Sequence, residues 1–216
     1  MRYRALVIGF WAVFSVLAGA GLTQLRFDAD YRVFFDDDNP QLRAYDKIQG
    51  KYTTDDAVII AVKRDQGVFH PQVLRVVKTL TEAAWTLSHV SRVDSLANYM
   101  HSKADGDALI VQELFGETEK ITGDVVKNVR QVATSEAMVQ GNLVSADATL
   151  TLIRIVYRLP STDPEILLNV KAEVVRHLEE HRQKLKGTGI ELHLSGNIIA
   201  GIAFAEASQA DMVKLI

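Results

Sequence analysis

The sequence predicts an α+β fold: a βαββαβ antiparallel sheet with a helical insertion at its middle, carried behind one transmembrane helix. Three observations predict it. An uncharged apolar run fills residues 5–25. Beyond it, short runs of branched residues alternate with helix-period segments as strand, helix, strand, and later again as strand, helix, strand. Between those halves, residues 101–147 break the rhythm. The expected segments are 1–26, transmembrane helix; 27–53, acidic connecting segment; 54–100, first half of the domain; 101–147, helical insertion; 148–196, second half; and 197–216, a helix leading toward a further span.

The first element reads ALVIGFWAVFSVLAGAGLTQL from Ala5 to Leu25. About 21 residues at ~1.5 Å each cover about 31 Å, close to the ~30 Å hydrocarbon core of a bilayer. Its apolar residues surround the helix on all sides, which suits lipid. Arg2 and Arg4 precede it, and Asp28, Asp30 and Asp36–Asp38 follow. The positive-inside rule then keeps the N-terminus cytoplasmic and exports the rest. A competing expectation is a cleaved signal peptide, because Ala18-Gly19-Ala20 has the small-residue pattern of a cleavage site. The apolar run continues past that site through Gly21, Leu22 and Leu25, which favours the retained anchor.

The aspartate run before Asn39-Pro40 lacks the alternate spacing and central glycine of a calcium loop, so a solvated helix entry is expected there. Ala57–Val62 (AVIIAV) reads as a buried strand. Gln66-Gly67 turns the chain, and Phe69-His70-Pro71 opens a helix with proline at its first position, where the missing N–H costs nothing. Phe69 and Leu74 have the spacing of a hydrophobic staple. Val73, Val76, Val77, Leu80, Ala84 and Leu87 form one buried face to about Val90. A short strand, Arg92–Ala97, follows. In the insertion, Asp105-Gly106 signals a turn, while Ala108–Phe115 and Glu117–Val139 are expected to be helical.

Thr149–Tyr157 alternates as a strand, with Thr151, Ile153, Ile155 and Tyr157 on one face. Pro160 stops it. Asp163-Pro164 is expected to cap a helix to about Lys186, its core side marked by Leu167, Val170, Val174, Leu178 and Leu185. Gly187 and Gly189 end that helix, and Ile190, Leu192 and Leu194 make a last strand with Glu191 and His193 facing away. Without the insertion this order is βαββαβ, the split ferredoxin-like plait, with both helices on one face of the sheet. After Gly196 the chain reads as nearly uncharged helix to Ile216, as if a second span were about to begin.

Composition excludes several classes. The 216 residues carry a net charge of −3 and no cysteine, which removes disulfides and thiolate metal sites. No basic stripe of the kind nucleic-acid binders use is present, so no nucleic-acid partner is expected. The sharpest catalytic pattern is His177-Leu178-Glu179-Glu180-His181, a formal H-x-x-E-H. Two histidines four apart on a helix can share zinc. Here they flank the core stripe beside Arg176, Arg182 and Lys184, whose charge disfavours a dication, so a solvated helix shoulder is expected. His70, His89, His101 and His193 sit near element ends, where capping or surface roles are expected. Trp85, Tyr99 and Phe115 are expected in the core. No catalytic, cofactor-binding or metal-ligating residues are assigned, and the chain is not read as an enzyme.

Taken in order, several stretches resemble the N-terminal region of the RND superfamily of transporters, in particular its MMPL-like exporters. They are FDADYRVFFDDDNP and YTTDDAVIIAV, then GVFHPQVL and the V-x-x-V-x-S-L pattern of Val90–Asn98. NLVSADATLTLIRI at Asn142–Ile155 and LHLSGNIIAGIAFAE at Leu192–Glu206 complete the set. The resemblance implies a ferredoxin-like periplasmic porter domain on an inner-membrane anchor. It further implies proton-gradient-driven export of lipids or other hydrophobic molecules, by a longer protein that assembles as a homo-oligomer. The acidic residues that relay protons in such proteins lie in later membrane helices, so none is assigned here. The alternative expectation, following the signal-peptide reading, is a secreted periplasmic binding or adaptor module.

Overall fold

The computed structural model describes residues 3–22, 35–36, 38–51, 56–116, 120–159 and 164–215. It is an α+β fold. The elements are α1 (Arg4–Leu22), α2 (Pro40–Lys51), β1 (Ala57–Lys63), α3 (Pro71–Ala84), β2 (Val90–Asp94), β3 (Met100–Asp105) and β4 (Ala108–Glu113). They continue with α4 (Gly123–Ser135), β5 (Leu150–Tyr157), α5 (Pro164–Leu185), β6 (Glu191–Ser195) and α6 (Asn197–Leu215).

The main sheet runs β2-β5-β1-β6, and every neighbouring pair is antiparallel. β1 and β2 are therefore parallel to each other with β5 inserted between them, while β6 pairs with the other edge of β1. Strand alternation sorts the side chains into two faces. Val58, Ile60 and Val62 of β1 stand level with Ile155, Ile153 and Thr151 of β5, and Leu194 and Leu192 of β6 continue the rows. This face is covered by α3 and α5, whose Leu80, Ala84, Val174 and Leu178 converge with Ile60 around a small gap. Val73, Val77, Val170 and the four residues just named are all buried in one continuous cluster. Thr151, Ile153, Ile155 and Tyr157 share the buried face of β5, as the alternation predicts.

Helix starts follow local chemistry. Asn39 caps α2, its Oδ1 accepting from the backbone N–H groups of Gln41 and Leu42 at 2.9 and 3.2 Å, with Pro40 next. Asp38 and Arg43 pair across that first turn. This is the helix entry expected after the aspartate run, so residues 40–51 of the connecting segment are ordered as helix. His70 caps α3, its Nδ1 accepting from Gln72 N at 3.3 Å, and Pro71 follows it. At the end of β6, Gly196 has φ +108°, and a Cβ there would run into the carbonyl oxygen of Ala57. Only glycine fits. Asn197 Oδ1 then accepts from Ala57 N at 2.7 Å and from Ile198 N at 3.0 Å, fastening the start of α6 to the start of β1.

Several expectations are corrected. Residues Ala108–Glu113 form a strand and not a helix: they pair with Met100–Asp105 in a hairpin whose two-residue loop is Gly106-Asp107. Gly106 supplies the positive φ that such a tight loop needs. With the turn fixed, the branched Ile110 and Val111 favour the extended ladder over the weak helical stripe. The insertion is thus mixed, a hairpin followed by one helix, and that helix is shorter than expected, spanning Gly123–Ser135. Its Val129, Val132 and Ala133 are buried, and Arg75 of α3 reaches across to the carbonyl of Ile121 at 3.2 Å.

The helix expected to run to about Val90 stops at Ala84, where Thr86 N donates to Ala83 O at 3.0 Å and His89 takes a positive φ. Leu87 stays buried outside the helix. The strand expected over Arg92–Ala97 ends at Asp94, because Ser95 caps a short 3-10 turn at Leu96–Asn98. Trp85, expected in the core, is 49% exposed, being one position off the Leu80–Ala84–Leu87 stripe. Phe115 is buried, as expected, whereas Tyr99 is only half-buried, packed against the edge of the core. Residues 23–25 at the end of the apolar run, Asp28, Asp30, Pro160 and the Asp163 cap lie outside the described residues.

The described side chains of α1, among them Val7–Leu17, are exposed. Phe10, Trp11 and Phe14 contact one another, with ring centroids 5.6–6.4 Å apart. Among the described residues no helix is long and apolar enough to cross a membrane.

Candidate functional site

The face of the sheet turned away from α3 and α5 is where the fold leaves room. Its rows follow from the register. Arg154 of β5 stands between Asp94 of β2 and Ile59 of β1, with Ser195 of β6 beyond; Leu152 stands level with Ala61, and Val156 lies between Arg92 and Ala57. This face mixes apolar and charged residues, where the opposite face is apolar apart from Thr151 and the Tyr157 hydroxyl.

A cleft of about 730 Å³ opens over it. Ala57, Ile59, Leu152 and Arg154 form its floor. One wall comes from Tyr99 and, in the insertion, from Met138, Asn142 and Leu143. The opposite wall is the Gly196-Asn197 corner, and Arg92 and Asp94 stand at the rim of β2. The volume falls within the range of small-molecule sites, ~300–1,000 Å³.

Local hydrogen bonding holds the insertion wall in place. Leu143 O accepts from Leu152 N and from Thr151 Oγ1, both at 2.9 Å, so residues 143–144 run as a short extra rung beside β5. The Ser145–Leu150 turn closes that rung. Asp147 accepts there from Ser145 Oγ at 2.6 Å and from Thr149 N at 3.1 Å. Those bonds to its charged form hold its carboxyl below the usual aspartate range. On the other side, Ser95, Asn98 and Val93 fasten the end of β2. Ser95 N donates to Asn98 Oδ1 at 2.8 Å, and Asn98 Nδ2 donates to the Val93 carbonyl at 2.6 Å.

At the rim, Arg92 Nε sits 3.0 Å from Asp94 Oδ2. Arg154 is half-buried on the floor. The N-terminus of α6, a 19-residue helix, lies at the wall and places a partial positive charge there.

The histidines take different places. His177 lines the gap between α3 and α5. His181 Nδ1 is 2.8 Å from the His177 carbonyl, which ties that ring to its own helix and turns it from a shared ligand position. Arg182 reaches the Leu192 carbonyl at 2.8 Å. His193 pairs with Glu191 at 3.1 Å on the exposed edge of β6. His101 is half-buried in β3, 3.7 Å from Glu136, and so differs from the surface role expected of it. Among the described residues no group of three potential ligands gathers. The cleft uses none of the histidines.

Sequence reasoning did not find the cleft. Arg154 lies within an otherwise apolar strand, TLIRIVY, and a cation in that setting was the one signal that could have marked the open face. No protein-family model matches the chain, and no curated protein matches it.

Proposed function

We propose that these residues belong to an RND-type, MMPL-like inner-membrane transporter that exports lipids or other hydrophobic molecules. In this reading, residues 5–25 anchor the chain with its N-terminus cytoplasmic. The α+β domain is a ferredoxin-like porter module on the periplasmic side. The split order β2-β5-β1-β6, with α3 and α5 on one face, supports that finer assignment. Energy from the proton gradient enters elsewhere in the longer protein, and this domain contributes a path for apolar cargo.

The observation that carries the proposal is an apolar segment whose described side chains lie exposed. Residues 5–25 contain no charge, and Phe10, Trp11, Phe14 and Leu17 along α1 are each more than half exposed. So much contiguous apolar surface is unfavourable in water and marks a membrane or partner contact. The described part of α1 is not by itself long and apolar enough for a span, so the anchor rests on residues 5–25 of the sequence taken whole. The cleft supports the cargo half of the reading, because its floor is largely apolar and open on one side.

Alkaline extraction of membranes from cells expressing the chain tests the anchor. Retention in the lipid pellet, lost in Leu17→Arg, is the expected result. A mid-helix arginine costs about 2.5–3.5 kcal/mol on insertion scales. Release into the soluble periplasm with a new N-terminus at Gly21 would point instead to a secreted binding module, whose cleavage pattern Ala18-Gly19-Ala20 already provides.

A further inference from the structure

We infer that the outer edge of β4 is an interaction surface for a second copy of this chain, the two β4 strands pairing antiparallel about Ile110 to join the hairpins into one four-stranded sheet. The inference is independent of the transport reading, because the hairpin pairs in the same way on an anchored or a released chain.

The fold treats its strand edges very differently. An open edge offers unpaired N–H and C=O groups to another strand, and folded proteins blunt it with charge, bulges or covering side chains. Both edges of the main sheet are blunted. At β6, which bears Glu191 and His193, Arg182 donates through Nη2 and Nε to the Leu192 carbonyl at 2.8 and 3.3 Å. At the other edge, β2 is five residues long, bears Arg92 and Asp94, and shifts register between Val90 and Arg92. Within the hairpin, β3 carries His101, Lys103 and Asp105. β4 has none of these devices. From Ala108 to Gln112 it is uncharged and free of proline and glycine, and all six of its residues are exposed. Among the described residues its backbone bonds only to β3.

The hairpin fixes which groups point outward. With a two-residue loop the Asp105–Ala108 pair is the bonded one, so Ala108, Ile110 and Gln112 direct their N–H and C=O groups to β3. Those of Leu109 and Val111 face out. A register centred on Ile110 sets Leu109 of each copy opposite Val111 of the other as a bonded pair, with the two Ile110 side chains abreast between them. Cross-strand apolar pairs of this kind stabilise a sheet. The edge complements itself: Leu-Ile-Val meets Val-Ile-Leu, and no charge faces its own image between residues 108 and 112. At either end Asp107 comes opposite Glu113 of the other copy, whose carboxylate Lys78 already engages at 3.0 Å. A bilayer is a poorer occupant, because the tip that would enter it carries Asp105 and Asp107. So short an edge buries well under the ~1,200 Å² of a stable interface, so the contact separates on dilution.

The chain has no cysteine, so single cysteines report the pairing directly. Across a non-bonded antiparallel pair the Cα atoms lie ~4.5 Å apart, within disulfide reach, whereas diagonal neighbours lie ~7–8 Å apart. Ile110→Cys in the full chain, oxidised with copper phenanthroline in isolated membranes (or in the concentrated soluble extract of a released chain), should give a disulfide dimer on a non-reducing denaturing gel. Leu109→Cys and Val111→Cys, each oxidised alone, should give it roughly tenfold more slowly. Coexpressed under different tags, those two should cross-link as a mixed dimer. Equal rates at 109, 110 and 111 mean random collision and overturn the inference. So does the absence of a dimer from an Ile110→Cys chain with its thermal transition intact. Should Ile110→Cys lose that transition, the coexpressed pair decides, and a mixed dimer forming no faster than either single variant overturns the inference. An adduct of another mass assigns the edge to a different protein and equally overturns it. Fractionation and cross-linking fail separately: a released chain that cross-links sinks only the anchor, and an anchored chain that does not cross-link sinks only this inference.

Discussion

Replacing Tyr157 with phenylalanine should stabilise the fold, although the side chain is among the most deeply buried in the core. Tyr157 ends β5 on the face covered by α3 and α5, and its ring is fully buried. Its backbone N–H is satisfied by Asp56 O at 2.7 Å. Its hydroxyl is also buried and has no hydrogen-bond partner among the described residues. A buried hydroxyl without a partner costs roughly 1–3 kcal/mol, and phenylalanine keeps the ring while removing the cost. A net gain of about 1 kcal/mol is expected, or about 2–4 °C in melting temperature for a chain of this size.

The same group gives the prediction a pH signature. Burial, with a smaller push from the Glu173 carboxylate, raises the ionisation of Tyr157 well above the ordinary tyrosine range. The folded state then holds its proton at a pH where the unfolded state has lost it. The stabilising contribution is complete below pH ~10 and is lost as pH rises above it, at up to about 1.4 kcal/mol per pH unit. Tyr157→Phe has no such proton, so its advantage should widen between pH 9 and pH 11 on the scale given by ordinary tyrosine ionisation. Thermal unfolding followed by near-ultraviolet circular dichroism across that range measures both effects. A lower melting temperature at neutral pH, or a gap that stays constant into alkali, refutes the reasoning.

Three further outcomes follow from particular contacts. Gly196→Ala should cost roughly 2–4 kcal/mol, from a strained positive φ and a clash with the Ala57 carbonyl, read as a fall in urea midpoint at unchanged slope. Ser95→Ala should cost about 1–2 kcal/mol by chemical unfolding, because Thr81 Oγ1 (2.8 Å) and Ala97 N (3.1 Å) both lose a partner. Leu109→Ser, on an exposed strand of the β3–β4 hairpin, should stay within about 0.5 kcal/mol of the parent in the same assay, and a larger loss would mean the hairpin is packed against something.

The sheet was legible because its signals were local and mutually consistent. AVIIAV and TLTLIRIVY each carry the period and residue types of a strand. His70-Pro71 and Gly187 punctuate helices in ways that leave few alternatives. The insertion was less legible for the opposite reason. Ala108–Phe115 has apolar residues that fit a weak helical stripe and a strand equally, and its partner strand across Gly106-Asp107 decided between them. Trp85 shows the same limit on a smaller scale: one position of helix phase separates a core aromatic from one that is 49% exposed.

The cleft illustrates a more general reason for failure. Its lining comes from segments at 57–59, 92–99, 138–143, 152–154 and 196–197, which meet only when β5 is inserted between β1 and β2. Apart from Arg154, nothing in any one segment marks it, because the open face of a sheet is read from sequence as the residue set left over after the core is chosen. Within AVIIAV both sets are apolar, so Ala57 and Ile59 carry no sign of belonging to a separate surface. Arg154 does carry one. It is flanked by Ile153 and Ile155, which the register commits to the core, and a guanidinium held between them must emerge on the opposite face. Arg154 is therefore the residue that marks the open side of the sheet, and the insertion supplies most of the wall that turns that side into a cleft.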